Sequence, residues 1–250
     1  MTSSSWEPVE EWYDRSVGEK GSFYHEHLIL PGIQRLFRTQ DTPSASLIEF
    51  GCGQGVVARA LPPLWKYTGL DLSPSLIASA QKQTKRKETR FIQGDATVPT
   101  PHGTFSHALF LLSLQNMEHL LPPLQNAALN LQPNGTLLLI LNHPCYRIPR
   151  QSSWEVDEPH KLLYRRINRY LTPLKIPIQA APSKGHASAS TFSFHFSLHD
   201  LFQALNTSHF SVTHLEEWVS PKKSTGAHAR MEDRARSEFP LFLALLAKKN

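Results

Sequence analysis

Leu47-Ile48-Glu49-Phe50-Gly51-Cys52-Gly53-Gln54-Gly55-Val56-Val57-Ala58 is the stretch on which the fold turns. An apolar β-type run enters a loop with glycine at every second position, and helix-forming residues follow at once. Glycine there permits a sharp turn and lets a ligand come close to the backbone, at the carboxyl end of a strand where open α/β sheets bind ligands. A plain tight strand–helix connection needs one such glycine, not three. The spacing also sorts the ligand. A dinucleotide loop, G-x-G-x-x-G/A, wants glycine or alanine where Val56 stands, and no Gly-Lys-Ser/Thr follows to make a Walker-type phosphate loop.

Outward from this loop the same unit recurs. Ser46–Phe50, Trp65–Asp71, Arg90–Gly94, Ser106–Leu112 and Thr136–Asn142 are short, nearly continuous apolar runs, as expected of strands buried on both faces of a parallel sheet. Helix punctuation separates them. Ser73-Pro74 reads as an N-cap followed by proline at the first helical position, and residues 119–131 end at the stop-and-turn signal Gln132-Pro133-Asn134-Gly135. Strands alternating with helices predict a doubly wound α/β sheet, Rossmann-like in layout.

After Asn142 the pattern breaks into a stretch rich in proline, arginine, lysine and serine. Thr191–Leu198 alternates like a half-exposed strand, and Ser197 with Asp200 resembles a capping box for a helix over Asp200–Leu205. Strands near Phe210–Trp218 and Phe239–Lys248 close the chain, joined by a charged, mobile connector, Val219–Glu238. Residues 143–198 read as an insertion over the sheet edge.

Composition excludes several classes. The 250 residues are 40% hydrophobic and 19% charged, which is globular rather than disordered. The net charge of +5 permits an anionic partner without demanding one. Cys52 and Cys145 make no disulfide framework and no multi-cysteine zinc site. His25-x-His27 and His195-x-x-x-His199 lack a third ligand, so no metal is assigned. The polar, acidic N-terminus has no secretory signal pattern, and the apolar runs fall far short of the ~18 residues of a membrane span. A soluble, cytoplasmic protein is the expectation.

The E-x-G-x-G-x-G loop resembles that of class I S-adenosylmethionine-dependent methyltransferases, and the resemblance extends over the strand scaffold from Ala45 to Asn142 and the two closing strands. It implies a seven-stranded sheet with the last strand antiparallel, a leader of lid helices over 1–44, and a methyltransferase domain over 45–250 carrying the 143–198 insertion. It implies S-adenosylmethionine as cofactor and S-adenosylhomocysteine as product. Glu49, Gly51, Cys52, Gly53 and Gly55 then form the cofactor loop. Asp71, twenty residues after Gly51, takes the ribose hydroxyls, with Leu72 beside it; Asp95 takes the adenine amino group, with Ala96 next to it. Phe110–His119 resembles the segment lining the methyl side and brings in Leu112 and Asn116. It lacks the Asn/Asp-Pro-Pro-Tyr/Phe signature of amino-group nucleic-acid methylases. Tyr13 and Tyr24 are either cofactor-covering lid residues or aromatic anchors that pack a leader helix.

In this chemistry the cofactor brings the activated leaving group, and the protein supplies alignment and water exclusion. A general base is needed only for an acceptor protonated at neutral pH. Among the 13 histidines, His25, His119 and His143 fall on segments bordering the methyl. In His143–Trp154, Arg147 suits an anionic acceptor and Trp154 a flat one; the alternative is a proline-stiffened surface loop. A small-molecule or lipid-like acceptor is the leading expectation. The rivals are RNA or DNA methylation, suggested by Arg165, Arg166 and Arg169, and cofactor binding without transfer. Oligomeric state is left open.

Overall fold

The computed structural model of the chain describes residues 6–39, 42, 44–179 and 190–250. A leader of one 3-10 turn (Glu7–Val9), α1 (Glu10–Val17), a π-helical turn (His25–Ile29) and α2 (Leu30–Leu36) precedes the alternating part. That part runs β1 (Ser46–Phe50), α3 (Val56–Ala60), β2 (Lys66–Asp71), α4 (Pro74–Gln83), β3 (Thr89–Gln93), β4 (Phe105–Leu111), α5 (Leu121–Asn130) and β5 (Leu131–Asn142). Two antiparallel hairpins follow, β6 (Ser152–Asp157) with β7 (Leu162–Ile167) and β8 (Leu174–Gln179) with β9 (Ser190–His195). The chain ends with α6 (Leu198–Thr207), β10 (Phe210–Trp218), α7 (Ala229–Glu238) and β11 (Phe242–Lys249).

Seven strands form the main sheet in the order β10-β11-β5-β4-β1-β2-β3, with β11 antiparallel to both neighbours. This is the sheet expected from the sequence. The chain steps outward from β1 to β3 and returns to lay β4 on the other side of β1. The strand order therefore reverses between β1 and β4, which opens a crevice at their carboxyl ends. The central strands β1, β2, β4 and β5 bury both faces over most of their length, which is why their apolar runs hardly alternate. Ile48, Phe50, Phe110, Leu139 and Leu141 join α5 and α6 in one core, while Leu47, Leu109, Leu138 and Ile140 join α2 and α3 in the other.

Local signals in the sequence are realised as hydrogen bonds. Ser73 Oγ accepts the Leu76 N–H at 3.1 Å, starting α4. Ser197 and Asp200 form a reciprocal capping box, Oγ accepting the Asp200 N–H at 3.2 Å and the carboxylate accepting the Ser197 N–H at 2.9 Å.

Four expectations need correction. The 132–135 turn lies within β5 as a bulge: Phe105 pairs with Leu131 and His107 with Thr136, so four residues loop out between them, Asn134 at φ +60°. The 219–238 connector contains α7, whose sparse apolar content hides its helical period. The insertion holds strands β6, β7 and β8, unseen in a sequence crowded with proline and arginine; its residues 180–189 lie outside the described ones. Arg86, in a basic run that reads as a solvated helix end, instead donates to the carbonyls of Leu61 (2.7 Å) and Pro62 (2.8 Å) and of Trp65. It closes the loop between α3 and β2.

Two asparagines on one face of α5, four residues apart, set the loop that rims the crevice. Fully buried Asn126 donates to Ala96 O (3.0 Å) and Val98 O (3.1 Å) and accepts the Thr100 N–H. Asn130 donates to Thr100 O at 2.9 Å and accepts the His102 N–H. Removing the Asn126 side chain leaves the buried Ala96 carbonyl without its donor, at a cost of about 1–3 kcal/mol. Asn126→Ala should lower the midpoint of denaturant unfolding and speed amide exchange at Thr100 while leaving Leu139 in β5 protected. Unchanged exchange at Thr100 would show that the loop holds without this pin.

Candidate functional site

A cavity of about 680 Å³ opens at the carboxyl ends of β1, β2 and β4, at the point of strand reversal. Its base is the glycine loop. Gly51 sits at φ +74°, and a Cβ there would come within 2.5 Å of Ser113 Cβ; Gly53, at φ +52°, would meet the Tyr13 hydroxyl at 3.0 Å. A side chain at either position collides with the cavity wall. Gly55 also has positive φ, but its missing Cβ makes room for the Phe91 ring and Ala80, and it does not line the cavity. Its place among the cofactor residues is corrected: it lets α3 pack on β3 and α4.

The end of β2 is tied to this loop through one carboxylate. Asp71 accepts the Gly53 N–H at 2.8 Å with one oxygen and the Ser73 N–H at 2.9 Å with the other. Burial pushes its carboxyl up, and the backbone donors hold it back. Deeper in the floor, Glu49 is buried and accepts from the Tyr67 hydroxyl. Burial raises its pKa to about 8, and the charge of Asp71 pushes in the same direction. The Cys52 thiol is pushed well up by the same burial and the same two carboxyls. A floor holding two crowded carboxyls in a low-dielectric setting favours a cationic ligand.

The leader roofs the cavity with Trp6, Tyr13 and His25. It is latched by polar contacts. Glu7 accepts from the hydroxyls of Ser73 and Ser75 at the start of α4, Asp14 accepts from Ser79 Oγ at 3.1 Å, and Gln54 donates to Gly18 O at 2.9 Å. Burial, then Asp71 and Glu49, raise the pKa of Tyr13. Tyr24 is elsewhere. Its ring packs edge-on against Phe242 and its hydroxyl meets Ser220 Oγ at 3.3 Å, so it is an anchor of the leader and not a cavity residue.

Leu72, Leu76, Asp95, Ala96 and Thr97 form one rim. Asp95 is exposed, and one of its oxygens accepts the Thr97 N–H at 2.8 Å and the Thr97 hydroxyl at 2.7 Å. The opposite wall runs from Leu111 to His119. Leu112 there has φ +52°, a left-handed conformation that costs a branched side chain energy, and its N–H is held by Ile140 O at 2.7 Å. Asn116 donates to Leu112 O at 3.1 Å, and Gln115 accepts the Asn142 N–H at 2.8 Å. His119 stands exposed at the mouth.

The histidines are not equivalent. His25 lines the cavity, but its Nδ1 accepts the Ser22 N–H at 3.2 Å, and burial lowers its pKa to about 4. Its neutral ring therefore carries the proton on Nε2 and offers a donor, which corrects its reading as a base. His143 is buried outside the cavity, Nε2 on Glu217 at 2.7 Å and Nδ1 accepting the Cys145 N–H, and is removed from the catalytic candidates. Trp154 is also displaced: it packs on Phe239 beneath the Arg165 guanidinium, against α7. Arg147 lines a second, much smaller cavity that shares Gln115 and Asn142 with the main one. Trp6, Ser113, Gln115, Met117, Pro122 and Asn142 line the main cavity unforeseen. Ser113, Gln115 and Met117 fall inside the quoted Phe110–His119 segment, whereas nothing in the sequence marks Trp6. Among the described residues no group of three or more His, Cys, Asp or Glu is placed to hold a metal ion.

Glu49 makes stability depend on pH. Between the ordinary carboxylate value of 4.5 and about 8, the unfolded chain has released this proton and the folded chain keeps it. Stability therefore falls as pH rises through that window, by up to about 1.4 kcal/mol per unit. Glu49→Gln keeps an acceptor for Tyr67 and removes the titration. Its thermal midpoint should exceed that of the unmodified protein near pH 8, and the two should converge near pH 5. Parallel pH profiles would place the titration elsewhere.

A cavity of this size lies within the roughly 300–1,000 Å³ usual for small-molecule sites. Its carboxyls suit a ligand that carries a cation and hydroxyls, and Leu72, Leu76 and Ala96 suit a flat apolar group. Residues 48–139 match the family model described as a methyltransferase domain. Over 116 residues the chain is 30% identical to the phthiotriol/phenolphthiotriol dimycocerosates methyltransferase of Mycobacterium leprae. That match takes in 44% of this chain and 42% of the relative, less than half its length. An S-adenosylmethionine-dependent methyltransferase from Mesorhizobium loti shares the fold with a TM-score of 0.65 at 21% identity, over 88% of this chain and 99% of that one. An amino pentose methyltransferase from Micromonospora echinaspora, solved with S-adenosylmethionine bound, gives 0.59 at 15% identity, over 95% and 96%. The glycine loop, the order of the sheet and the domain match agree: residues 48–139 match a methyltransferase domain, and the chain shares the fold of solved S-adenosylmethionine-dependent methyltransferases.

Proposed function

We propose that this protein transfers a methyl group from S-adenosylmethionine to a small-molecule or lipid-like acceptor. The observation that carries this reading is one continuous cavity. It runs from Gly51, Gly53 and Asp71 to an apolar wall at Leu111, Leu112, Met117 and Pro122. The bound cofactor supplies a methyl on an already activated sulfonium leaving group. The task left to this chain is to hold, align and keep dry.

In this reading Asp71 turns its remaining lone pairs to the ribose hydroxyls while its backbone bonds keep it rigid. Asp95 and Ala96 meet the adenine edge, and Glu49, Cys52 and Tyr13 surround the cationic end. Closure of the leader over Gly53 excludes water. Asn116, His119 and the apolar wall face the acceptor. The relative's printed substrate, a dimycocerosate lipid, supports an apolar acceptor. Nucleic acid finds less support, because Arg165 donates to Tyr146 O at 2.8 Å and Arg166 lies 3.5 Å from Glu155, so both are engaged within the protein.

Calorimetric titration with S-adenosylhomocysteine tests the cofactor half. Asp71→Ala and Gly53→Val should each bind at least tenfold more weakly while staying folded. Asp95→Ala, losing one charge-assisted bond worth about 1.5–3 kcal/mol, should lose roughly tenfold or more. Native affinity in the Asp71 variant would overturn the assignment of the ribose site. For the transfer half, candidate acceptors are scored by release of S-adenosylhomocysteine; apolar acceptors should turn over and RNA or DNA should not.

A further inference from the structure

Beside the main cavity lies a chamber of about 40 Å³, and Gln115 and Asn142 line both. Its other walls are mostly apolar (Leu114, Leu120, Phe194 and Leu201 among them); Ser193 and His195 also line it but are spent on the carbonyls of Gln115 (3.4 Å) and Tyr170 (2.7 Å), and the guanidinium of Arg147 is its one permanent cation. Arg147 donates to Asn142 Oδ1 at 2.7 Å and rests over the Phe242 ring, 5.4 Å from its centre. Among the described residues no carboxylate pairs with it. The charge of Arg165 also acts on it; among the described residues Arg165 has no acidic partner either, and it is held by Tyr146 O and Ser152 Oγ. A largely buried cation without a counter-ion is costly, and a ligand anion relieves that cost.

We infer that Arg147 is a specificity-determining residue which takes a carboxylate carried by the acceptor, seated in this chamber with Gln115 and Asn142 at its entrance. The inference rests on the methyltransferase reading of the main cavity. Size selects the group. A chamber of this volume has room for a few water-sized positions, at about 10–15 Å³ each, and so for a carboxylate. Shape selects the partner, since the planar fork of arginine meets both oxygens of a carboxylate at once. The apolar remainder of such an acid then extends into the main cavity along Leu112, Met117 and Pro122. Charge is divided along the site: the Asp71 carboxylate faces the cationic cofactor, and the arginine end faces an anionic acceptor.

The test uses the full chain saturated with S-adenosylhomocysteine, titrated calorimetrically with octanoate and with its neutral isostere octanamide. Octanoate should bind at least tenfold more tightly. Arg147→Met, which keeps an apolar stem on Phe242, should abolish that preference and leave S-adenosylhomocysteine affinity unchanged. Arg147→Lys keeps the charge but not the fork, and should retain only part of the preference; it stands in if the methionine variant fails to fold. Equal affinity for octanoate and octanamide in the unmodified protein would overturn the inference, as would a preference that survives in both variants. Failure of the unmodified protein to bind S-adenosylhomocysteine would instead overturn the cofactor reading on which it rests.

Discussion

The Asp71 carboxylate is the joint on which the site depends. It spans the backbone amides of Gly53 and Ser73, so one side chain fixes the glycine loop, the end of β2 and the start of α4 relative to one another. Each bond involves an ionised acceptor in a buried setting, where such bonds are strongest. Through Ser73 the tie reaches Glu7 and hence the leader. The same group that organises the loop also gives the floor its negative potential, while Glu49 keeps its proton chiefly because it is buried, with the charge of Asp71 pushing the same way.

That economy explains what the sequence could reveal. The strand–glycine loop–helix unit and the aspartate at the end of β2 are dictated by local rules of turn geometry and close approach, so they were legible residue by residue. The paired caps Ser73 and Ser197 were legible for the same reason. Gly55 shows the limit. Its spacing matches a ligand loop, yet the constraint on it is the Phe91 ring behind it, a contact between segments distant in sequence.

Residues after Asn142 were poorly legible because their positions follow from tertiary contacts. His143 reads as a site histidine from its place past β5, but Glu217 on β10 captures it. Trp154 sits on a hairpin whose alternation is masked by arginines, and its direction is set by Phe239 and Arg165. His25 lines the cavity, but its Nδ1 is taken by the Ser22 amide. Which nitrogen is basic depends on the Ser22 amide, and a sequence carries no record of a tautomer.

The roof and the floor differ in how firmly they are built. The strands beneath the cavity are buried on both faces, whereas the leader over it holds by Glu7, Asp14 and Gly18 contacts with only Val9 and Val17 buried in its first helices. Polar latches of this kind open ahead of a packed core, because water replaces their bonds at little net cost while it cannot replace apolar burial. A ligand enclosed beneath such a roof is therefore reached by moving the part of the fold that is least costly to move. The strained Leu112 lies on the opposite wall, held by Ile140 of β5, so that side stays fixed while the roof gives way. A rigid, acidic floor, a strained opposite wall and a polar-latched roof are three separate mechanical elements. They come from three separate stretches of chain that meet because the strand order reverses beside β1.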